Sequence, residues 1–318
     1  MTFFLKLVGR HARLVLALGV ILGLVLPGLG DYVGSALQLL VVLLLAAAMI
    51  RVDLLDVLSH LRKPGRLGFL LISLMLLLPL GVHGIALLLD LDPVLHLALV
   101  LVACAPPLAS APGMAALLKL DDALVLNVMV LGTLIVPFTV PVITLSILDL
   151  PLDLDPISLL GRLILTIGVA ILAAALFRKL AGEARIKQNQ DLLDGVSALI
   201  MLIFAIVIMN GIGLTQVKNG FAVLDTLSAA LLANWGIHLF LLFCLGLWAL
   251  YQKREQLVSR QGGAIALMAG NRNAALFMAA LPPETITSLL LFLALAQLPI
   301  YLTPLMASPI YKVLLKKR

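Results

Sequence analysis

Residues 262–273 read GGAIALMAGNRN, and the fold turns on how this stretch is read. It lies inside an apolar run, 261–281, that is long enough to cross a membrane, yet it carries Gly262, Gly263 and Gly270 and ends in Asn271, Arg272 and Asn273. Arg272 is the one charged residue that falls near the middle of such a run. A guanidinium at bilayer depth costs at least ~2.5 kcal/mol, so an intramembrane arginine marks a functional site by default. It sits about ten positions from either end of the run, too far to reach water by stretching its side chain.

The rest of the chain has the composition of a membrane protein. Hydrophobic residues make up 63% of the 318 and charged residues 12%, with a mean hydropathy of +1.18. Soluble domains carry roughly 45–50% apolar and 25% charged residues, and no soluble core hides this much apolar surface. Aromatic residues are only 5% and the bulk is Leu, Ala, Val and Ile, which suits lipid-facing helices rather than barrel strands of alternating polarity. Cys104 and Cys244 both fall in apolar runs, fit neither a disulfide framework nor a metal cluster, and are expected to be small buried residues. The basic N-terminus followed by an apolar run resembles a secretory signal, but "LPGLGDY" offers no small-residue cleavage pattern, so we expect a first helix.

A span needs about 20 mainly apolar residues. On that measure the runs are 13–29, 33–50, 67–89, 93–118, 123–148, 157–178, 192–212, 225–250, 261–281 and 285–311. With the N-terminus inside, all basic residues except Arg162, Lys218 and Arg272 fall on the cytoplasmic face, as the positive-inside rule requires. Both termini are then cytoplasmic, and the net charge of +6 is loop asymmetry that implies no nucleic-acid partner. The acidic residues, Asp31, Asp149, Asp153 and Glu255 among them, all lie at span ends, leaving no carboxylate for the membrane interior.

These runs imply an all-α integral membrane protein of about ten spans, divided as 1–150 and 151–318 into two five-helix repeats. Five is odd, so the second repeat must be inverted. Two features sit at corresponding positions. The fourth span is interrupted by "CAPPLASAPG" (Cys104–Gly113) and the ninth by "GGAIALMAGNRN", and the following spans carry Pro137/Pro141 and Pro299/Pro304. Pro106, Pro107 and Pro112 cannot all occupy one straight helix. A single kink of this kind is usually a packing device. Paired interruptions point instead to a transporter site near the interface of the two repeats. The residues expected to be unwound are Ala105, Pro106, Pro107, Pro112, Gly113 and Gly270, with Arg272, Asn271, Asn273 and Ser110 as polar contacts for a substrate.

The stretch "CAPPLASAPGMAALLKLDDAL" resembles the fourth-helix motif of the bile-acid:sodium symporter family, Cys-x-Pro-Gly-Gly-x-x-Ser-Asn followed by Lys-Gly-Asp. Cys104, Pro106, Lys119 and Asp121 match without gaps. "MAGNRNAALFMAALP" is similar to the family's ninth-helix Glu-x-Gly-x-Gln-Asn stretch, with Gly270 and Asn273 in register. The resemblance implies ten spans, an inverted repeat and a bundle with two crossing helices that moves against a panel of the first, second, sixth and seventh spans. It also implies where sodium would be held, and there the chain departs. The Ser-Asn pair is Ala111 and Pro112, the fifth-helix hydroxyl ligands are Val125 and Met129, the ninth-helix carboxylate is Met268, and the glutamine is Arg272. Sodium needs oxygen donors that these side chains lack. The resemblance therefore implies an organic-anion carrier working by alternating access without sodium coupling.

Arg272 has two readings. It can occupy a cation's place and satisfy the carbonyls of the broken fourth span, or it can face a cavity and grip an anionic substrate with its planar fork. Asn127, Asn210, Asn234, Gln297 and Thr133 can line a cavity, though helix–helix hydrogen bonds are their commoner use. His238 and His83 are candidates for proton linkage against the same bland alternative, while His96, His11 and His60 suggest no chemistry. A membrane-integral enzyme would need paired intramembrane acids, a Ser–His pair or metal-ligand spacing, none of which the sequence offers. A sodium- or proton-coupled symporter, or a transport-inactive sensor with this fold, is the alternative. The expected partners are a small organic anion and the lipid bilayer, with no cofactor; the short loops suggest a bacterial inner membrane. Substrate identity and oligomeric state are not legible.

Overall fold

The computed structural model describes residues 2–25, 36–52, 57, 64–147, 155–210, 220–254 and 256–316. Asp31, His60, Asp149, Asp153, Lys218 and Glu255 lie outside them, as does the side chain of Asn210. The described residues are helical throughout, with a single isolated antiparallel β-bridge and no strand. Among the described residues, six helices are long and apolar enough to cross a membrane: Gly65–Leu88, Asp122–Thr144, Pro156–Ala181, Gln190–Met209, Val223–Tyr251 and Pro283–Leu314. Two shorter apolar helices, Leu37–Ile50 and Pro93–Cys104, accompany them.

The contacts group the chain into two units. The first holds α1 (Thr2–Arg10), α2 (Ala12–Val25), α3 (Leu37–Ile50), α9 (Pro156–Ala181), α10 (Glu183–Gln188), α11 (Gln190–Asn210) and α15 (Ala275–Ala280). Here α1 and α2 pack along α11, while α15 packs on α3 and α9. The α1–α11 approach depends on Gly195, where an added Cβ would lie 2.0 Å from the carbonyl oxygen of Leu5. Apolar side chains gain little by leaving lipid, so close backbone contact of this kind is what holds membrane helices together. At one end, Arg51 donates to Asp194 and Arg178 Nη1 donates to Ile50 O at 2.9 Å.

The second unit holds α4 (Pro64–Ile72), α5 (Leu78–Leu88), α6 (Pro93–Cys104), α7 (Ala111–Leu117), α8 (Asp122–Ile147), α12 (Gly220–Leu231) from Leu224 onward, α13 (Ile237–Tyr251) and α14 (Arg260–Gly270). The chain ends in α16 (Pro283–Leu295), which belongs to the first unit up to Ala294 and to this one at Leu295, and α17 (Gln297–Leu314), which belongs to this one. A π-helical turn, π1 (Ser73–Leu77), joins α4 to α5, and a second, π2 (Leu232–Gly236), joins α12 to α13. In a π-turn the bond runs to the fifth residue instead of the fourth, which leaves backbone carbonyls displaced and open to other donors. Pro137 and Pro141 are accommodated inside a continuous α8.

The outer surface of the helices is apolar, as it must be against lipid. This corrects one expectation: Cys104 is buried, but Cys244 is exposed, on the strip of α13 that also exposes Phe240, Phe243 and Leu247. In a membrane an apolar side chain need not be inside the protein to be out of water.

Candidate functional site: two broken helices and a buried arginine

Helix α6 begins cleanly and stops abruptly. Asp92 caps it, accepting from the N–H groups of Val94 at 2.9 Å and Leu95 at 3.1 Å, with Pro93 in the first turn, where its missing N–H is not needed. It ends at Cys104 because Pro106 follows Ala105. The residue before a proline is driven out of the helical region, and Ala105 is extended, at φ −63 and ψ 150. The chain becomes helical again at Ala111.

The second break is its counterpart. Helix α14 is capped by Ser259, which accepts from Gly262 N–H at 3.0 Å, and it ends at Gly270. Asn271 is extended at φ −102 and ψ 91, and helix resumes at Ala275. The interruptions are therefore narrower than the sequence suggests, and three residues expected to be unwound are not. Gly270 is the last residue of α14, while Pro112 and Gly113 lie in the first turn of α7. A proline in a first turn has no bond to lose, so Pro112 starts the helix that it was expected to break.

The two unwound segments pair with each other. Leu108 N–H donates to Asn271 O at 2.9 Å and Asn273 N–H donates to Pro106 O at 2.8 Å, forming an antiparallel bridge between Pro107 and Arg272. Backbone polar groups freed at membrane depth have no water to turn to, so they survive only by finding partners within the protein.

Arg272 completes the junction. It is only 1% exposed. Its Nη1 donates to Ala105 O at 3.0 Å, and its Nη2 donates to Leu74 O, a carbonyl within π1. The Met75 sulfur lies 3.9 Å from Nη1, and Nε has no partner. No described carboxylate pairs with it. The positive charge is thus met by carbonyl dipoles, one from a broken helix and one from a π-turn.

The other π-turn braces the other break. Asn234 Nδ2 donates to Gly270 O at 2.8 Å, and Thr303 Oγ1, which donates to Pro299 O at 2.8 Å, lies 3.4 Å from Asn234 Oδ1. Asn271 is fully buried, its Nδ2 donating to Leu267 O at 3.0 Å. Asn273 and Ser110 are half-buried, and Ser110 Oγ has no partner. Thr133 Oγ1 donates within its own helix to Met129 O at 2.8 Å. At the positions where the resemblance implies sodium ligands, Ala111, Val125, Met129 and Met268 are buried apolar side chains.

The histidines divide differently from expectation. His238 is 1% exposed and engaged: its Nε2 lies 2.7 Å from Tyr311 Oη, and the Tyr311 hydroxyl donates to Gly263 O at 2.9 Å. With that hydroxyl proton committed, Nε2 is the donor to the phenol oxygen. Tyr311→Phe removes this acceptor and should cost about 1–2 kcal/mol, read as a lowered melting temperature of the purified protein. His83, by contrast, meets His96. Their Nδ1 and Nε2 are 2.8 Å apart, with ring centroids separated by 4.9 Å, linking α5 to α6 across a short turn. Sequence reading dismissed His96, and only the antiparallel register of the two helices brings the imidazoles together.

The fold and junction define a class: a multi-pass membrane protein with two broken helices whose unwound segments pair. The family model for the Sodium Bile acid symporter family matches residues 38–220, and the chain belongs to that family. It is a transmembrane transporter of this type, acting on a small molecule in a lipid setting. No protein of curated function matches the sequence.

Proposed function

We propose that the protein is a secondary carrier of a small or amphipathic organic anion, that it works by alternating access, and that sodium does not drive it. The observation that carries this is Arg272. A guanidinium delivering its two terminal nitrogens to Ala105 O and Leu74 O supplies, covalently attached, the positive charge that a bound cation would otherwise bring to the junction. A tethered charge cannot dissociate, so it cannot carry the energy of an ion gradient. This favours the structural reading of Arg272 over direct grip on a substrate, since only its Nε remains without a partner. Asn273 and Ser110 are the polar groups of the pair of breaks left to meet a substrate, and Asn271 acts with Arg272 in holding the junction.

The two units support a carrier of two bodies, with α1–α3 and α9–α11 gathered in one and both unwound segments in the other. Grouping α15 with the first unit departs from the panel that the resemblance implies. The ten spans, the inverted repeat of 1–150 and 151–318, the cytoplasmic termini and a bacterial inner membrane belong to the same proposal.

Uptake of labelled carboxylates and sulfonates into proteoliposomes tests it. Uptake should be the same in sodium and in choline; sodium stimulation would sink the reading. A pH step is the second arm. His83 and His96, bonded ring to ring at 2.8 Å, are the pair we propose for proton linkage, so His83→Gln should flatten the pH response of uptake while Tyr311→Phe leaves it in place.

A further inference from the structure

A cavity of about 250 Å³ lies beside the end of α13, walled by Leu245, Trp248, Ala249, Arg254, Gln256 and Ser259 among others. Its key side chain is positioned by the way the helix stops. Lys253 N–H donates to Leu250 O at 3.0 Å and Arg254 N–H donates to Ala249 O at 2.9 Å, with Lys253 in the left-handed region at φ 51. This is a Schellman turn, with lysine where glycine is usual. It folds Arg254 back along the helix until its guanidinium carbon is 4.2 Å from the centroid of the Trp248 ring.

Three other polar groups of the wall are occupied. Gln256 Nε2 donates to Leu315 O at 3.1 Å, Val258 N–H donates to Leu314 O at 3.3 Å, and Ser259 Oγ accepts from Gly262 N–H. Among the described residues no carboxylate pairs with Arg254. The cavity thus offers a guanidinium that no described carboxylate neutralises, stacked over Trp248 beside apolar walls. Its depth is set by the sequence: the membrane span ends at Tyr251, so Arg254 stands at headgroup level and Leu245 and Trp248 lie within the outer part of the hydrocarbon.

We propose that this cavity binds the phosphodiester headgroup of an anionic phospholipid, with the phosphate on Arg254 and the first acyl methylenes against Leu245 and Trp248. Arginine presents paired N–H groups that match a phosphate's oxygens, and the exposed Lys253 beside it favours lipids of net negative charge.

Trp248 is one of two tryptophans, so in a Trp235→Phe background it is the sole emitter. The full chain in nanodiscs would be titrated with brominated phosphatidylglycerol or brominated phosphatidylcholine. We expect Trp248 to be half-quenched at a several-fold lower mole fraction of the glycerol lipid, and Arg254→Gln to erase that difference. Equal quenching by both lipids, or an undiminished preference in Arg254→Gln, overturns the proposal. Soluble glycerophosphoglycerol is the third arm. If millimolar amounts displace the lipid, the site takes a free phosphodiester and the lipid assignment fails; no displacement supports it. A Trp248→Phe protein that retains Trp235 gives the signal to subtract from the unmodified chain, so the result stands even if Trp235→Phe, which loses the bond to Pro299 O, folds poorly.

Discussion

Arg272→Gln should lower the melting temperature of the purified protein, by a loss of about 2 kcal/mol or more, and abolish uptake. The guanidinium reaches carbonyls on two different segments, Ala105 and Leu74, from within a site that is 1% exposed. A glutamine amide is shorter and cannot span both. Each buried acceptor left bare costs about 1–3 kcal/mol. Removing the charge also removes the cost of burying it, which offsets part of the loss and keeps the expected effect below that of a broken buried ion pair. A measurement of melting with and without sodium separates the two readings of this residue. If Arg272 stands in for a cation, sodium should raise the melting temperature of the glutamine variant and leave the parent unchanged. Unaltered melting with lost uptake would instead assign the guanidinium to the substrate.

Gly270→Ala should be nearly as damaging, for a different reason. A Cβ there would lie 2.4 Å from the backbone oxygen of Asn234 and 3.0 Å from His238 Cβ. A backbone oxygen inside π2 cannot swing aside, so α14 must retreat from π2, and the bond from Asn234 Nδ2 to Gly270 O at 2.8 Å goes with it. Overpacking of this kind costs roughly 1–3 kcal/mol, to which a lost buried hydrogen bond adds about 1 kcal/mol. Gly113→Ala is the matched control. It lies in α7 with nothing within 4 Å of the new Cβ, and alanine is favoured over glycine in a helix by up to about 1 kcal/mol. Melting of the two variants should therefore move in opposite directions; a destabilised Gly113→Ala would mean that residue 113 does not keep a helical backbone.

Much of the site could be read from residue types alone. The adjacent Pro106 and Pro107 strain a helix more than the spaced Pro137 and Pro141 that α8 absorbs, and an arginine in an apolar run demands partners whatever the fold, so the neighbourhood of each break and the importance of Arg272 are legible in the sequence. Pro112 shows the limit. Its residue type marks a weak point in a helix, but not whether the helix ends there, runs through as α8 does at Pro137, or begins there, and its position in the first turn of α7 is decided by where the chain resumes helical geometry.

What the sequence could not contain was the identity of partners. The π-turns at Ser73–Leu77 and Leu232–Gly236 have no residue signature, because a shifted backbone bond uses groups that every residue carries; yet Leu74 O and the Asn234 side chain meet the two breaks there. His96 looked idle until the α5–α6 register set it against His83. Residue chemistry by itself determined that this chain lives in a membrane, where it must break, and which charge needs an answer, since those follow from the cost of polar groups in hydrocarbon. Tertiary structure alone decided which backbone groups join the two breaks, Leu108 to Asn271 and Asn273 to Pro106, and that Leu74 O in a π-turn is the second acceptor of Arg272, because long-range pairing depends on which segments the fold brings within about 3 Å.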